Sequence, residues 1–339
     1  SNKGSLIIEN NKIISLDFIS SIKDDNTQEM SIINCNGAIL SPGFVDLKAQ
    51  IREPGDEHKE TIESASLAAA ASGITSLVCM PNTNPVIDQI AVIEFIERKA
   101  KKHSLVKIYP AAAITKSLLG KDLTEIGLLS EAGAIAFTDS IKSVSNSDVM
   151  LRALKYATAY NALLMQHPED PYLSNGGVMN AGILSTKLGV KGIPIEAELI
   201  QIEKDLRLVE MTGGRLHFTN VTSERSVDVI KKYTQKGVNV TCSTSPHYFQ
   251  FTEEQVLDWR TYAKVSPPLR TEKDREAIEN AIAQDDIYCI TSDHSPHDTD
   301  SKRLPFEQAS SGVIGFETLL PLTLDLVHKK KISISQLIK

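Results

Sequence analysis

Along most of this chain, apolar runs of four to eight residues alternate with longer stretches in which apolar side chains recur at helical spacing. The first pattern predicts strands buried on both faces, and the second predicts helices with one covered face. AILSPGFVDL precedes TIESASLAAAASG, ITSLVCMP precedes VIDQIAVIEFIERKAKK, VKIYPAAAI precedes TEIGLLSEAG, and AIAFTD precedes SDVMLRALKYATAYN. ALLMQH precedes PIEAELIQIEKDLRLVEMTG, RLHFTNV precedes SERSVDVIKKYTQKG, VNVTCSTS precedes EKDREAIENAIAQ, and IYCITSDHSPH precedes GFETLLPLTLDLVHKK. Eight such pairs predict an α/β fold, a (β/α)8 TIM barrel over residues 38–339, because eight parallel strands can close without an unpaired edge. A doubly wound open sheet is the alternative.

Residues 1–37 differ: SLIIEN, NKIISLDF and MSIINC read as short strands separated by Asn-Asn and Asn-Gly turns, hence a small β module. Gly73, Gly133, Gly214 and Gly237 stand where helices give way to strands, positions that call for a left-handed cap. The polar stretch SDHSPHDTDSKRLPFEQASSG is long for a barrel loop and is expected to be a lid or disordered.

Composition narrows the function. In 339 residues, 36 basic and 43 acidic side chains leave a net charge of −7, so no global positive field gathers nucleic acid. No apolar run reaches the roughly 20 residues of a membrane span. The N-terminus SNKGSLIIEN lacks the basic and apolar regions of a signal peptide, and a cytoplasmic location is expected. Cys35, Cys79, Cys242 and Cys289 show no zinc-finger spacing and read as buried free thiols.

In a barrel, reactive groups project from the C-terminal strand ends. There the chain places Lys48, Gln50 and Arg52, then Asn82, Asp139, His167, Asn220 and His247, and finally Asp293, His294 and His297. Taken alone, Arg52 would be a salt-bridge residue and Asn82 a turn former. A lone His167 would be satisfied by a carboxylate or carbonyl, and Asp293 could cap the following helix. His58, His103, His217 and His328 are given no role.

The stretch SPGFVDLKAQIREPGDEHKETIESASLAAAASGITSLVCMPNTNPVID resembles the opening of the dihydroorotase family, within the cyclic amidohydrolases. AIAFTD, QHPED, SNGGVMNAG, TGGRLHFTNV, KVSPPLR, TSDHSPH and SGVIGFETLLPL continue the resemblance in order. It implies a barrel enzyme of pyrimidine biosynthesis acting on dihydroorotate or a related cyclic ureide. It also implies zinc held by a His-x-His pair, a bridging aspartate, two histidines and an aspartate that serves as general base. By the same resemblance Arg52, Asn82 and His297 would hold the substrate carboxylate, and relatives complete the β module with a C-terminal segment.

The departures fall on the metal ligands. The His-x-His pair reads Lys48-Ala49-Gln50, a further histidine is Asn220, and the asparagine of the usual Asn-Pro-Pro-Leu-Arg motif is Ser266. Only Asp139, His167 and Asp293 keep their type. A protonated lysine has no lone pair and neutral amides are poor zinc ligands, so a two-metal centre is not expected: no metal, or one zinc. Lys48 is expected to sit in a metal's place and pair with Asp139, Asp293 or both. The resulting expectation is a degenerate zinc site in a pseudoenzyme. It would act as a structural or regulatory partner, assembling with aspartate carbamoyltransferase as some inactive relatives do, and forming a homo-oligomer. The alternative is an active mononuclear enzyme on Asp139, His167 and Asp293, a dihydroorotase before an allantoinase or hydantoinase.

Overall fold

The structure, a computed structural model, describes residues 4–17 and 31–339. It divides into two compact units, Ser1–Pro42 and Gly43–Lys339. In the first, β1 (Ser5–Glu9) and β2 (Lys12–Asp17) pair antiparallel. Asn10 and Asn11 turn the chain with φ of 48° and 61°, the positive values that a tight hairpin requires of both central residues. The third strand expected from MSIINC is absent over Ser31–Cys35. Among the described residues no strand pairs with it, and Ile32 and Ile33 lie exposed; Met30 falls outside the described residues.

The second unit is a parallel eight-stranded barrel with its helices outside. Its strands are β3 (Phe44–Ala49), β4 (Ile74–Cys79), β5 (Lys107–Ala112), β6 (Ala136–Phe137) and β7 (Leu163–Gln166), then, after β8 (Met179–Asn180) and β9 (Gly192–Ile193), which form a separate pair, β10 (Arg215–Phe218), β11 (Val240–Thr244) and β12 (Cys289–Ile290). They run in the order β12-β11-β10-β7-β6-β5-β4-β3. The seam between first and last is bridged rather than open. Ala49 and His294 form a parallel bridge, and the Gln50 N–H donates to the His294 carbonyl at 2.9 Å. Beneath them Asp46 accepts from the Ser292 N–H at 2.9 Å and from its hydroxyl at 2.5 Å.

Strand alternation divides the core. Val78, Met80, Ala111, Ala136 and Met165 fill the lumen. Their strand neighbours Leu77, Ile108, Phe137, Leu164, Leu216 and Phe218 pack outward against helical residues such as Ile93, Ile96, Leu154, Ile202 and Leu206. Each strand therefore presents one row to the lumen and one to the helices, as the unbroken apolar runs require. Helix starts are fixed by side-chain caps on the mouth side. Thr61 and Ser64 form a reciprocal box, and Asn146, Ser223 and Thr271 accept from the first turns of their helices. Those caps hold the turns that carry the strand-end residues.

Three sequence expectations change. The left-handed helix end before β10 falls on Gly213, with φ 68°, while Gly73, Gly133 and Gly237 adopt positive φ where expected. Of the two readings of the long polar loop, disorder is removed: it contains a helix, Thr299–Arg303, capped by Asp298, and Asp293 is not the cap. Cys79 and Cys242 are buried free thiols and Cys289 is half-buried, but Cys35 is exposed. Among the described residues no helix is long and apolar enough to cross a membrane.

Asp46 is fully buried at the seam, and burial pushes its carboxyl above the usual range against the Ser292 bonds that pull it down. Asp46→Ala leaves both Ser292 donors unmade, so it should lower unfolding free energy by about 2–3 kcal/mol. Urea denaturation tests this: the midpoint should fall with the slope unchanged.

Candidate functional site at the barrel mouth

The first strand ends in a buried cation. Lys48 is 1% exposed, and its Nζ lies 2.9 Å from Asp293 Oδ1 at the end of β12. The approach is a charge contact, since Nζ makes no directed hydrogen bond. Of the two carboxylates considered from sequence, Lys48 pairs with Asp293. Asp139 is engaged elsewhere: Oδ1 accepts from the Thr115 N–H at 2.9 Å, and Oδ2 accepts from the Thr115 hydroxyl. Burial raises the Asp139 carboxyl and those bonds lower it.

Burial first, and the pair's charges second, act on the imidazoles around it. His167 is pushed down to about 3, chiefly by burial and then by the Lys48 charge, with Asp293 opposing. His247 is lowered by burial first, and His217 falls to about 4 for the same reasons as His167 apart from Asp293. All three are neutral at pH 7. His217 is closed off by Thr241 at 2.8 Å and Ser243 at 3.0 Å. His167 has neither the carboxylate nor the carbonyl expected of a packing histidine; its Nε2 is 3.4 Å from Ser266 Oγ and its Nδ1 has no partner.

The residues expected to hold a carboxylate are present and already engaged. Arg52 donates from Nε to the Pro296 carbonyl at 3.1 Å and from Nη2 to Ser295 Oγ at 3.0 Å, with Nη2 3.4 Å from His297 Nε2. His297 donates that Nε2 proton to the Ser311 carbonyl at 2.8 Å. Burial, and then Arg52, push it down to about 4, so this ring is also neutral. Asn82 donates to Gln50 Oε1 at 3.0 Å and accepts from Ser140 Oγ at 2.9 Å. Gln50 thus ties down the asparagine.

His294 is structural. Its Nδ1 accepts from the Gly315 N–H at 3.2 Å, so Nε2 carries the proton and donates to Glu60 at 2.8 Å. Its ring stacks on Phe316 at 3.7 Å. Thr115, Ser140 and Ser245 were missed from sequence. Their signal was present, since each directly follows a strand or a strand-end residue, but a hydroxyl is too common there to stand out.

The mouth thus has two halves. Gln50, Asn82, Ser140, Asp139 and Thr115 satisfy one another. On the arc from β7 through β10 and β11 to β3, His167 Nδ1, both side-chain atoms of Asn220, Ser245 Oγ, His247 Nε2 and Lys48 Nζ are buried without hydrogen-bond partners. Such groups are rare and cost about 1–3 kcal/mol each. Arg52, Ser140, Asn220 and Asp293 adopt φ of 67°, 61°, 54° and 52°, backbone strain concentrated at this rim.

These residues do not fit a two-metal centre. Lys48 offers no lone pair, Gln50 and Asp139 are spent on neighbours, and Asn220 is a neutral amide. Among the described residues no three His, Cys, Asp or Glu side chains are arranged to hold a metal ion.

A closed (β/α)8 barrel with ionisable groups at its strand ends is the architecture of barrel enzymes. The L-hydantoinase (dihydropyrimidinase) of Arthrobacter aurescens superposes with a TM-score of 0.84 at 21% identity, over 98% of this chain and 76% of that one. The dihydropyrimidinase of Brevibacillus agri gives 0.82 at 20% identity, over 99% and 75%. At that identity the likeness establishes the fold. Sequence goes further: the profile described as Dihydro-orotase-like matches residues 37–226. The dihydroorotase of Syntrophus aciditrophicus is 43% identical over 335 residues, 98% of this chain and 78% of that protein. That of Caldicellulosiruptor saccharolyticus is 44% identical over 317 residues, 93% and 74%. The chain belongs to the dihydroorotase-like family.

Two predictions follow from the electrostatics. Lys48→Met strands the Asp293 carboxylate in a nearly dry site and should cost about 3–5 kcal/mol, while adding Asp293→Asn should recover much of it. A double-mutant cycle in urea measures the coupling. Second, the folded values of His167 and His217, about 3 and about 4, lie below their ordinary 6.5. Between these limits the unfolded chain binds protons that the native state does not, so stability is full above pH 6.5 and is lost as pH falls. The loss should reach up to about 1.4 kcal/mol per unit per histidine, with a shallower slope in His217→Gln.

Proposed function

We propose that this protein is a dihydroorotase-like protein of pyrimidine biosynthesis whose mouth binds rather than hydrolyses, and which serves as a structural or regulatory partner. The observation that carries this reading is the ion pair of Lys48 and Asp293. In the two-metal chemistry of the family, an acidified water needs a nearby divalent charge and a free carboxylate to take its proton. Here an ammonium supplies the positive charge, and the carboxylate expected to act as base is bound to it.

Arg52 remains suited to a ligand carboxylate, because its planar fork can exchange two neutral acceptors for one anionic one. The unsatisfied arc offers both donors and acceptors to a polar ring. Dihydroorotate or a related cyclic ureide matches both features, and aspartate carbamoyltransferase is the associate that the family resemblance suggests. The alternative, an active mononuclear enzyme on Asp139, His167 and Asp293, is disfavoured by the occupation of both Asp139 oxygens by Thr115.

Dihydroorotate turnover with and without added zinc decides between these readings. No turnover above background is expected in either; rates like those of ordinary dihydroorotases would overturn the proposal. Replacing Lys48, Gln50 and Asn220 together by histidine should create zinc binding that survives dialysis. Light scattering with aspartate carbamoyltransferase tests the partner, where a joint species is expected and independent elution would remove that claim.

A further inference from the structure

The polar loop after β12 is held by a lysine that touches no acid. Lys302 is 5% exposed, and its ammonium donates to three backbone carbonyls: Thr261 at 2.9 Å, Ser310 at 2.8 Å and Gly312 at 2.9 Å. An ammonium has three N–H donors and no acceptor, so these three carbonyls use its whole capacity. The Thr261 hydroxyl returns a bond to the Lys302 carbonyl at 2.6 Å. Lys302 therefore joins two rim segments that are distant in sequence.

Both segments lead to the mouth. Ser311 lies between two of the captured carbonyls, and its own carbonyl receives the Nε2 proton of His297. Gly312 presses against Ser295 and His297 so closely that a Cβ there would meet Ser295 Oγ at 2.4 Å and His297 Nε2 at 3.2 Å. Ser295 in turn accepts from Arg52, and its N–H is fixed by the Val313 carbonyl at 2.8 Å. On the other side, the segment containing Thr261 runs on to Ser266, the neighbour of His167.

We propose that Lys302 is the positioning residue of the Arg52–His297 side of the mouth, an internal tethered cation that folds the 296–313 loop into its ligand-holding shape. It touches no ligand; it acts by aligning the Ser310 and Gly312 carbonyls so that Ser311 faces His297 and Ser295 faces Arg52. The assignment of Arg52 and His297 to ligand binding rests on the functional reading above, whereas the role of Lys302 in shaping the loop can be read without any ligand.

Hydrogen exchange of single amides supplies that readout. Lys302→Met keeps the stem and removes the donors. The amides of Ser295, Ser310 and Gly312, bonded to Val313, Ser301 and Lys264, should exchange about tenfold faster. Those of Thr219 and Thr291, bonded to Gln166 and Thr244 in the barrel wall, should not change. Lys302→Ala should lose the same protection and regain it in ammonium chloride, whose ion can enter the ring of carbonyls, but not in tetramethylammonium chloride at equal ionic strength. Emission from Trp259, edge-on to Phe306 in the same region at 6.0 Å, should follow the rescue. Unchanged protection in Lys302→Met, equal loss at Thr219 and Thr291, or no rescue by ammonium would overturn the proposal. Dihydroorotate affinity should fall with loop protection; no binding by the unaltered protein would refute the functional reading, while the amides still decide the role of Lys302.

Discussion

A lysine ammonium and an aspartate carboxylate, 2.9 Å apart and almost removed from water, set the terms for the rest of this barrel mouth. Neither charge is tolerable there alone, because desolvating an unpaired ion costs several kcal/mol. Together they are neutral, and their field reaches outward: Lys48 helps to depress His167, His217 and His247. Three imidazoles that could titrate near neutrality are instead held uncharged. Hydrogen-bond donors and acceptors, many of them buried, surround this internal ion pair.

That constraint divides the rim. On one side the polar side chains are paired, with Gln50 holding Asn82 and Thr115 holding Asp139. On the other, Asn220, Ser245 and two histidines keep unpaired polar atoms in a buried setting. Arg52, Ser140, Asn220 and Asp293 share positive φ, so backbone strain gathers at the mouth. The seam built by Asp46, Ser292 and the bridge of Ala49 to His294 engages Lys48 and Gln50 through their backbone N–H groups, so it closes the barrel without using their side chains.

The barrel was legible in the sequence because period-two burial on both faces leaves long apolar runs, and because caps such as Thr61 and Asn146 mark helix starts chemically. The pairing of Lys48 was legible too, since a cation replacing a ligand beside carboxylates has few other places to go. Which carboxylate it takes was not. That depends on Thr115, a neutral hydroxyl one strand away, which claims Asp139. The internal order of the loop from Pro296 to Val313 was not legible for a related reason: backbone carbonyls converge there on Lys302, and carbonyls carry no sequence signature. The insertion carrying β8 and β9 escaped notice because two-residue strands leave no periodicity to detect.

The central claim is that an ammonium occupies the seat of a divalent ion, and elemental analysis of protein purified without added metal tests it most directly. The account predicts zinc far below one ion per chain, rising in the variant that replaces Lys48, Gln50 and Asn220 with histidine. One or more zinc ions retained per chain by the unaltered protein would contradict it.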